Sequence, residues 1–300
     1  RILAPADWTV LANGREESIS AVEPDGRAWR RFVETPPLSS YLYCLALGAF
    51  VGRRSELRIP GRTEAVSVGT WSRGSLAKFV EHDRFVRLTE QAFAFYAELF
   101  GRAYPFDKLD HIYCPEFSTG AMENVGLITY NEGYMFRSPP TPSDVTDLAE
   151  VIFHEIAHMW FGDLVTMRWW NDLWLNESFA TYLSYLCLTE GSNFPGAWRE
   201  FNVQLKRWAL AEDDAPTTHP IAGSVADTDQ TFLNFDGITY GKGGAVLKQL
   251  GARLGRAGLS AGLHIYFDRH SYGNATLDDF LDALQAGSGV PLGDWSNQWL

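Results

Sequence analysis

The sequence predicts an α+β fold, strands in its first part and then an α-helical lobe. Short apolar runs separated by turn dipeptides recur up to about residue 130. From residue 144 onward the apolar residues fall at helical spacing, in stretches that glycines bring to an end. The chain has 300 residues, 46% of them hydrophobic and 14% aromatic, enough for one large domain or two modest ones. No internal repeat or low-complexity tract interrupts it.

Residues 8–11 read as a strand before the turn dipeptide Asn13-Gly14. Strands over 18–23 and 28–33 flank Pro24-Asp25-Gly26, and Pro36-Pro37 breaks the pattern. Residues 42–50 form a buried strand candidate, and a domain boundary falls near residue 51, dividing the chain into 1–50 and 51–300. Residues 59–71 begin a second strand system, punctuated by Pro60-Gly61. Residues 76–100 make a long helix with Phe79, Val86, Phe93, Tyr96 and Phe100 on its apolar side, ended by Gly101. Strands follow over 109–114 and 125–130, which sets Glu123 just before the second. Helices over 197–211, 240–254, 259–270 and 277–286 make up the C-terminal lobe. The polar connection 212–235 is long enough to line or cover a site.

The run 144–153 is acidic at its start and apolar later, with Ser143 or Asp144 as N-cap and Gly162 as the stop. It leads into His154-Glu155-Ile156-Ala157-His158. Residues four apart on a helix point in nearly the same direction, so both imidazoles can bind one ion while Glu155 lies beside them. After 18 further residues comes Glu177, in a second helix over 172–190 that Gly191 ends. Two helices joined by a turn can pack as an antiparallel pair and deliver Glu177 to the histidines. A structural zinc is normally closed by four protein ligands, whereas three leave a place for water. No cysteine lies near enough in sequence to complete a fourth position.

Beyond this site stand Gly120-Ala121-Met122-Glu123-Asn124, Trp174-Leu175-Asn176-Glu177-Ser178-Phe179-Ala180 and Tyr240-Gly241-Lys242-Gly243-Gly244. With the His-Glu-x-x-His pentad, in this order, they make the chain resemble the aminopeptidase N family of gluzincin zinc metallopeptidases. The resemblance implies a thermolysin-like catalytic domain over 51–300, with a mixed β-sheet and an α-helical lobe, preceded by the end of a β-domain over 1–50; it also implies one Zn2+ ion and release of single residues from peptides with a free N-terminus. It assigns His154, His158 and Glu177 as metal ligands and Glu155 as general base. Tyr240 becomes the donor to the oxyanion and Glu123 the carboxylate that grips the substrate amine, with Gly120, Ala121, Met122 and Asn124 in the same binding segment. Met122 is expected to line the pocket for the first side chain, with a lean toward Ala, Leu or basic residues. The family's larger N- and C-terminal regions lie outside these 300 residues, among them a further amine-binding residue. On its own residues, Tyr240 reads more readily as a packed aromatic at a helix start, and only the resemblance gives it a catalytic role. The glycines at 241, 243 and 244 are better explained by a close helix approach than by a phosphate loop. Two other readings stay open, a non-catalytic peptidase-fold scaffold and an epoxide hydrolase-type relative.

A net charge of −12 leaves no basic face for nucleic acid. Cys44, Cys114 and Cys187 are an odd and sparse set, which disfavours a disulfide framework and fits a cytoplasmic, reducing setting. No apolar run is long enough to span a membrane. The first residue is Arg, as expected of a segment of a longer protein.

Overall fold

A computed structural model describes all 300 residues. The first strands are β1 (Ile2–Pro5), β2 (Thr9–Ala12), β3 (Glu16–Ile19), β4 (Arg27–Phe32) and β5 (Leu45–Gly48). They form a three-stranded antiparallel sheet, β1-β4-β3, and an antiparallel pair, β2-β5. Residues 42–50 are therefore not one strand. A 3-10 turn, Ser40–Leu42, precedes β5, and β6 (Phe50–Leu57) already belongs to the next sheet.

That sheet has the order β6-β7-β8-β10-β9 and is mixed. It adds β7 (Val66–Arg73), β8 (Lys108–Cys114), β9 (Ala121–Met122) and β10 (Leu127–Asn131). β7, β8 and β10 run parallel, while the edges β6 and β9 run antiparallel to their neighbours. β6 escapes a pattern-based reading because it is an edge strand with a mostly exposed, polar sequence. β9 pairs with β10 through Met122 and Ala121, so Glu123 lies in the turn between these two strands.

The long helix α1 is His82–Phe100, and a separate 3-10 turn holds residues 74–79. The helical part continues with α2 (Pro142–His158), the short strand β11 (Val165–Met167) and α3 (Leu173–Leu186), which ends in a π-helical turn at Cys187–Gly191. Then come α4 (Ala197–Val203), α5 (Leu205–Asp213) and the short α6 (Thr228–Phe232), which lies inside the polar connection. The chain closes with α7 (Gly243–His270), β12 (Gly273–Ala275), α8 (Leu277–Ser288) and α9 (Gly293–Trp299). α7 merges the two helices expected over 240–270, with a kink at Gly255 where φ is +70°. No helix is long and apolar enough to cross a membrane.

One continuous core joins the sheet to the helices. At its centre Phe161 stacks on Phe179 at 4.6 Å, and Phe179 meets Phe280 edge-on at 4.8 Å. Phe100 and Phe267 close on Phe161 and on each other. Offset and edge-to-face pairs add about 1 kcal/mol each beyond the area they bury. This cluster fixes α3 against α2, and with it the carboxylate on one helix against the imidazoles on the other.

Candidate metal centre and cleft

α2 starts earlier than its acidic run suggests. Thr141 is the N-cap, and Pro142 takes the first helical position, where its missing N–H costs nothing. The Thr141 hydroxyl accepts from the Asp144 amide at 3.2 Å, and the Asp144 carboxylate accepts from the Thr141 amide at 2.7 Å. Ser143 and Asp144 are thus not the N-cap; Asp144 is the reciprocal partner. The helix runs as far as His158, short of Gly162. Gly162 has φ +114°, and a Cβ there would collide with the Asn176 side chain. Its glycine is a condition for Asn176 reaching the site.

His154, His158 and Glu177 converge, their ligand atoms all within 4.8 Å of one another. The two Nε2 atoms are 3.0 Å apart, and one Glu177 oxygen lies 3.3 Å and 3.5 Å from them. The His158 Nδ1–H donates to Asn176 Oδ1 at 2.8 Å and to the Phe161 carbonyl at 3.0 Å. That bond fixes the tautomer and turns the Nε2 lone pair toward the other two ligand atoms, as metal-binding histidines require. His154 has a weaker outer partner, Thr181 Oγ1 at 3.5 Å. Burial works against charge on both His158 and Glu177. Opposite charge prevails over burial: Glu123 and then Glu177 hold His158 above its ordinary range, and His158 with His154 holds the Glu177 carboxyl below its own. Two imidazoles and one carboxylate, buried and convergent, fit a divalent ion with an open coordination position.

Glu155 is buried beside this trio, and its Oε2 makes no hydrogen bond. Burial pushes its carboxyl well up; His158 lowers it in part, and Glu123, Glu177 and Glu150 raise it further. Tyr240 sits in a π-helical turn, Ile238–Lys242, with its ring 6.1 Å from that of His154. Burial, then Glu177 and Glu123, push its hydroxyl well above the usual range, so it stays protonated and able to donate. The glycines around it mark close approaches: a Cβ on Gly241 would strike the Leu205 carbonyl, and one on Gly243 the Ser178 hydroxyl.

Glu123 is buried in the β9–β10 turn, and its Oε1 accepts from Asn176 Nδ2 at 3.0 Å. Asn176 therefore bonds His158 on one side and Glu123 on the other. Ala121 and Met122 form the edge strand β9, with Gly120 just before it, and an edge leaves one row of main-chain groups unpaired. The Asn124 side chain turns into the hairpin, toward Thr129 Oγ1 at 3.3 Å. A cavity of about 440 Å³ opens beside Glu123 and Glu177, and Tyr41, Met122, Phe232 and Phe235 give it apolar walls. A larger open groove around Arg168 and Asp278 holds none of these residues.

His154, Glu155, His158, Glu177, Glu123 and Tyr240 thus gather in one place, with Met122 on the cavity wall, while Asn124 turns into the hairpin. Sequence reasoning missed Asn176 as a bridge, Tyr41 as a wall and the buried Asp163, whose two carboxyl oxygens have no hydrogen-bond partner. Asn176 stands next to Glu177, which is a usable signal; Tyr41 has none, because it reaches the site from a segment more than eighty positions before Glu123 on the chain.

A helix-borne pair of histidines, met by a carboxylate from the next helix and flanked by a buried glutamate, defines a metallopeptidase type of site. Residues 85–299 match the peptidase family M1 domain, and the chain belongs to that family. It is 44% identical to "Aminopeptidase N" of Streptomyces lividans, over 100% of this chain and 34% of that protein. It is 36% identical to "Aminopeptidase N" of Lactobacillus helveticus, over 93% of this chain and 33% of the relative. With the "Leucyl aminopeptidase" of Saccharolobus solfataricus it shares 34% identity over 93% of this chain and 34% of the relative. The chain spans about a third of the length of these relatives. They lend no support to the scaffold or epoxide hydrolase readings.

Proposed function

We propose that the chain is the catalytic segment of a zinc-dependent aminopeptidase, which hydrolyses the first peptide bond of substrates with a free N-terminus. The observation that carries this is the buried Glu123 carboxylate, tied through Asn176 to His158 and opening on an apolar cavity. A carboxylate held at a set distance from the metal ligands selects an α-ammonium, since an internal peptide bond carries no charge to pair with it. His154, His158 and Glu177 would hold the zinc, which when bound lowers the pKa of water to about 7 and polarises a carbonyl. Glu155 takes the proton from the attacking water and passes it to the leaving amine; its raised pKa suits both steps. The Tyr240 hydroxyl donates to the developing oxyanion. The edge strand Ala121–Met122 aligns the substrate main chain.

In this reading the first side chain of the substrate occupies the cavity walled by Met122, Phe232 and Phe235, which favours apolar residues over basic ones. The domain division at residue 51 stays part of this reading and is supported by β6, which joins the catalytic sheet from Phe50. A panel of aminoacyl fluorogenic amides tests the proposal, run before and after chelation and again with zinc restored. Leu, Met and Phe amides are expected to lead Lys and Arg amides, with activity lost on chelation and regained with zinc. Activity indifferent to the chelator would overturn the proposal.

A further inference from the structure

We infer that Tyr41 is a substrate-binding residue whose hydroxyl completes, with Glu123, the anchor for the substrate's α-ammonium. This rests on the aminopeptidase reading above. Tyr41 lies in the 3-10 turn Ser40–Leu42, far in sequence from every motif, yet it lines the same cavity as Glu123 and Glu177. Its hydroxyl is buried beside the Glu123 carboxylate, which helps to hold the phenol protonated, yet no hydrogen bond of good geometry satisfies it. A buried hydroxyl without a partner costs about 1–3 kcal/mol, so such a group calls for an explanation. Its surroundings supply one: after burial itself, the charges that resist its ionisation are the carboxylates of Glu123, Asp163 and Glu177. Carboxylates can only accept. The phenol can give its single proton to one of them, which leaves its lone pairs without a protein donor.

An α-ammonium brings the donors that are lacking. It has three N–H bonds, and Glu123 meets it with one oxygen already bound by Asn176. A phenol oxygen that accepts one N–H while donating its own proton to a carboxylate becomes a better acceptor, because bonds in such a chain polarise one another. The ring is held for this task. It packs edge-on against Trp170 at 5.1 Å, and its neighbour Leu42 is fully buried. Asn13 staples the turn to the strand segment that follows Glu123: its Nδ2 donates to the Leu42 carbonyl at 2.8 Å and to the Val125 carbonyl at 2.9 Å, and its Oδ1 accepts from the Cys44 amide at 2.9 Å. Ser39 adds a bond to Thr166 at 2.8 Å. Asn13 and Ser39, neither of which lines the cavity, thus hold the turn that carries Tyr41 beside Glu123.

The test is calorimetric binding of two hydroxamates to the zinc-loaded, full-length protein. One carries an α-amino group and the other is its des-amino counterpart with the same side chain. The native protein is expected to favour the amino compound. Tyr41→Phe keeps the ring and removes only the hydroxyl. It is expected to shrink that preference by about tenfold, with des-amino affinity, zinc stoichiometry and Tm unchanged. In kinetics, KM for free-amine substrates should rise more than kcat falls. An undiminished preference in Tyr41→Phe overturns the inference, as does an equal loss of affinity for both compounds with a lowered Tm. Absence of any preference in the native protein overturns the aminopeptidase reading itself, which separates the two failures.

Discussion

Asn176 accepts from the His158 ring and donates to the Glu123 carboxylate, so a single amide sets where these two side chains stand relative to each other. Replacing it with Ala removes both bonds. Loss of such an outer partner typically weakens metal binding by about 10–100-fold, and competition against a chromogenic chelator measures this directly. Discrimination between free and blocked amines should fall in the same variant. Glu155→Ala separates metal binding from chemistry: it should keep one zinc per chain and lose about a thousandfold in turnover. Tyr240→Phe should lower kcat by about a hundredfold or more with little change in KM. The metal ligands were legible in the sequence because a helix turns spacing into direction. The Asn176 bridge was not, since its bond to Glu123 crosses 53 positions and no local pattern encodes it.

Elements begin and end where capping chemistry decides, and this is where pattern reading slipped. Thr141-Pro142 moves the start of α2 ahead of the acidic run, because a threonine cap and a proline at the first position satisfy the amides that Ser143 or Asp144 would otherwise serve. α8 repeats the device with Thr276 and Asp279, bonded reciprocally at 3.3 Å and 2.9 Å. Thr276→Ala should cost about 1 kcal/mol in urea unfolding at neutral pH. The Thr276 bonds hold the Asp279 carboxyl below its ordinary value of 3.8. A depressed folded-state pKa means the contribution is present above 3.8 and lost as the pH falls through the folded value. Asp279→Asn should therefore flatten the acid limb of stability below that pH, as unfolding curves at pH 3 and pH 6 would register. β6 was overlooked for a different reason: an edge strand with a polar, exposed sequence carries no alternating apolar signal. The glycines of the Tyr240 segment were read correctly as contact points, since Gly243 lets α7 pass the Ser178 hydroxyl. Gly243→Ala should cost about 1–3 kcal/mol through this overlap.

Across the whole molecule, the sheet carries Glu123, the α2–α3 pair carries the convergent His154, His158 and Glu177, and Tyr41 from the N-terminal segment lines the cavity beside them. The helix-rich half was legible in type because its apolar residues repeat at helical spacing, whereas its boundaries depended on caps and kinks such as those of α2 and α7. The contribution of residues 39–44 was not, since it arises from Asn13 bonding across to Val125, a contact between segments 112 positions apart. Metal and fold are linked at this scale. An ion that binds only the folded chain stabilises it by about 2.7 kcal/mol at a hundredfold excess over its Kd, so chelation should lower Tm and zinc should restore it.

The central claim is that Glu123, placed by Asn176, converts a metal-assisted hydrolysis into cleavage from a free N-terminus. The most direct measurement is the ratio of kcat/KM for an aminoacyl amide and its N-acetylated form, on the zinc-loaded, full-length protein. We expect the free amine to be favoured by at least about a hundredfold, and Glu123→Ala to remove most of that ratio. Equal cleavage of the two substrates would contradict the account.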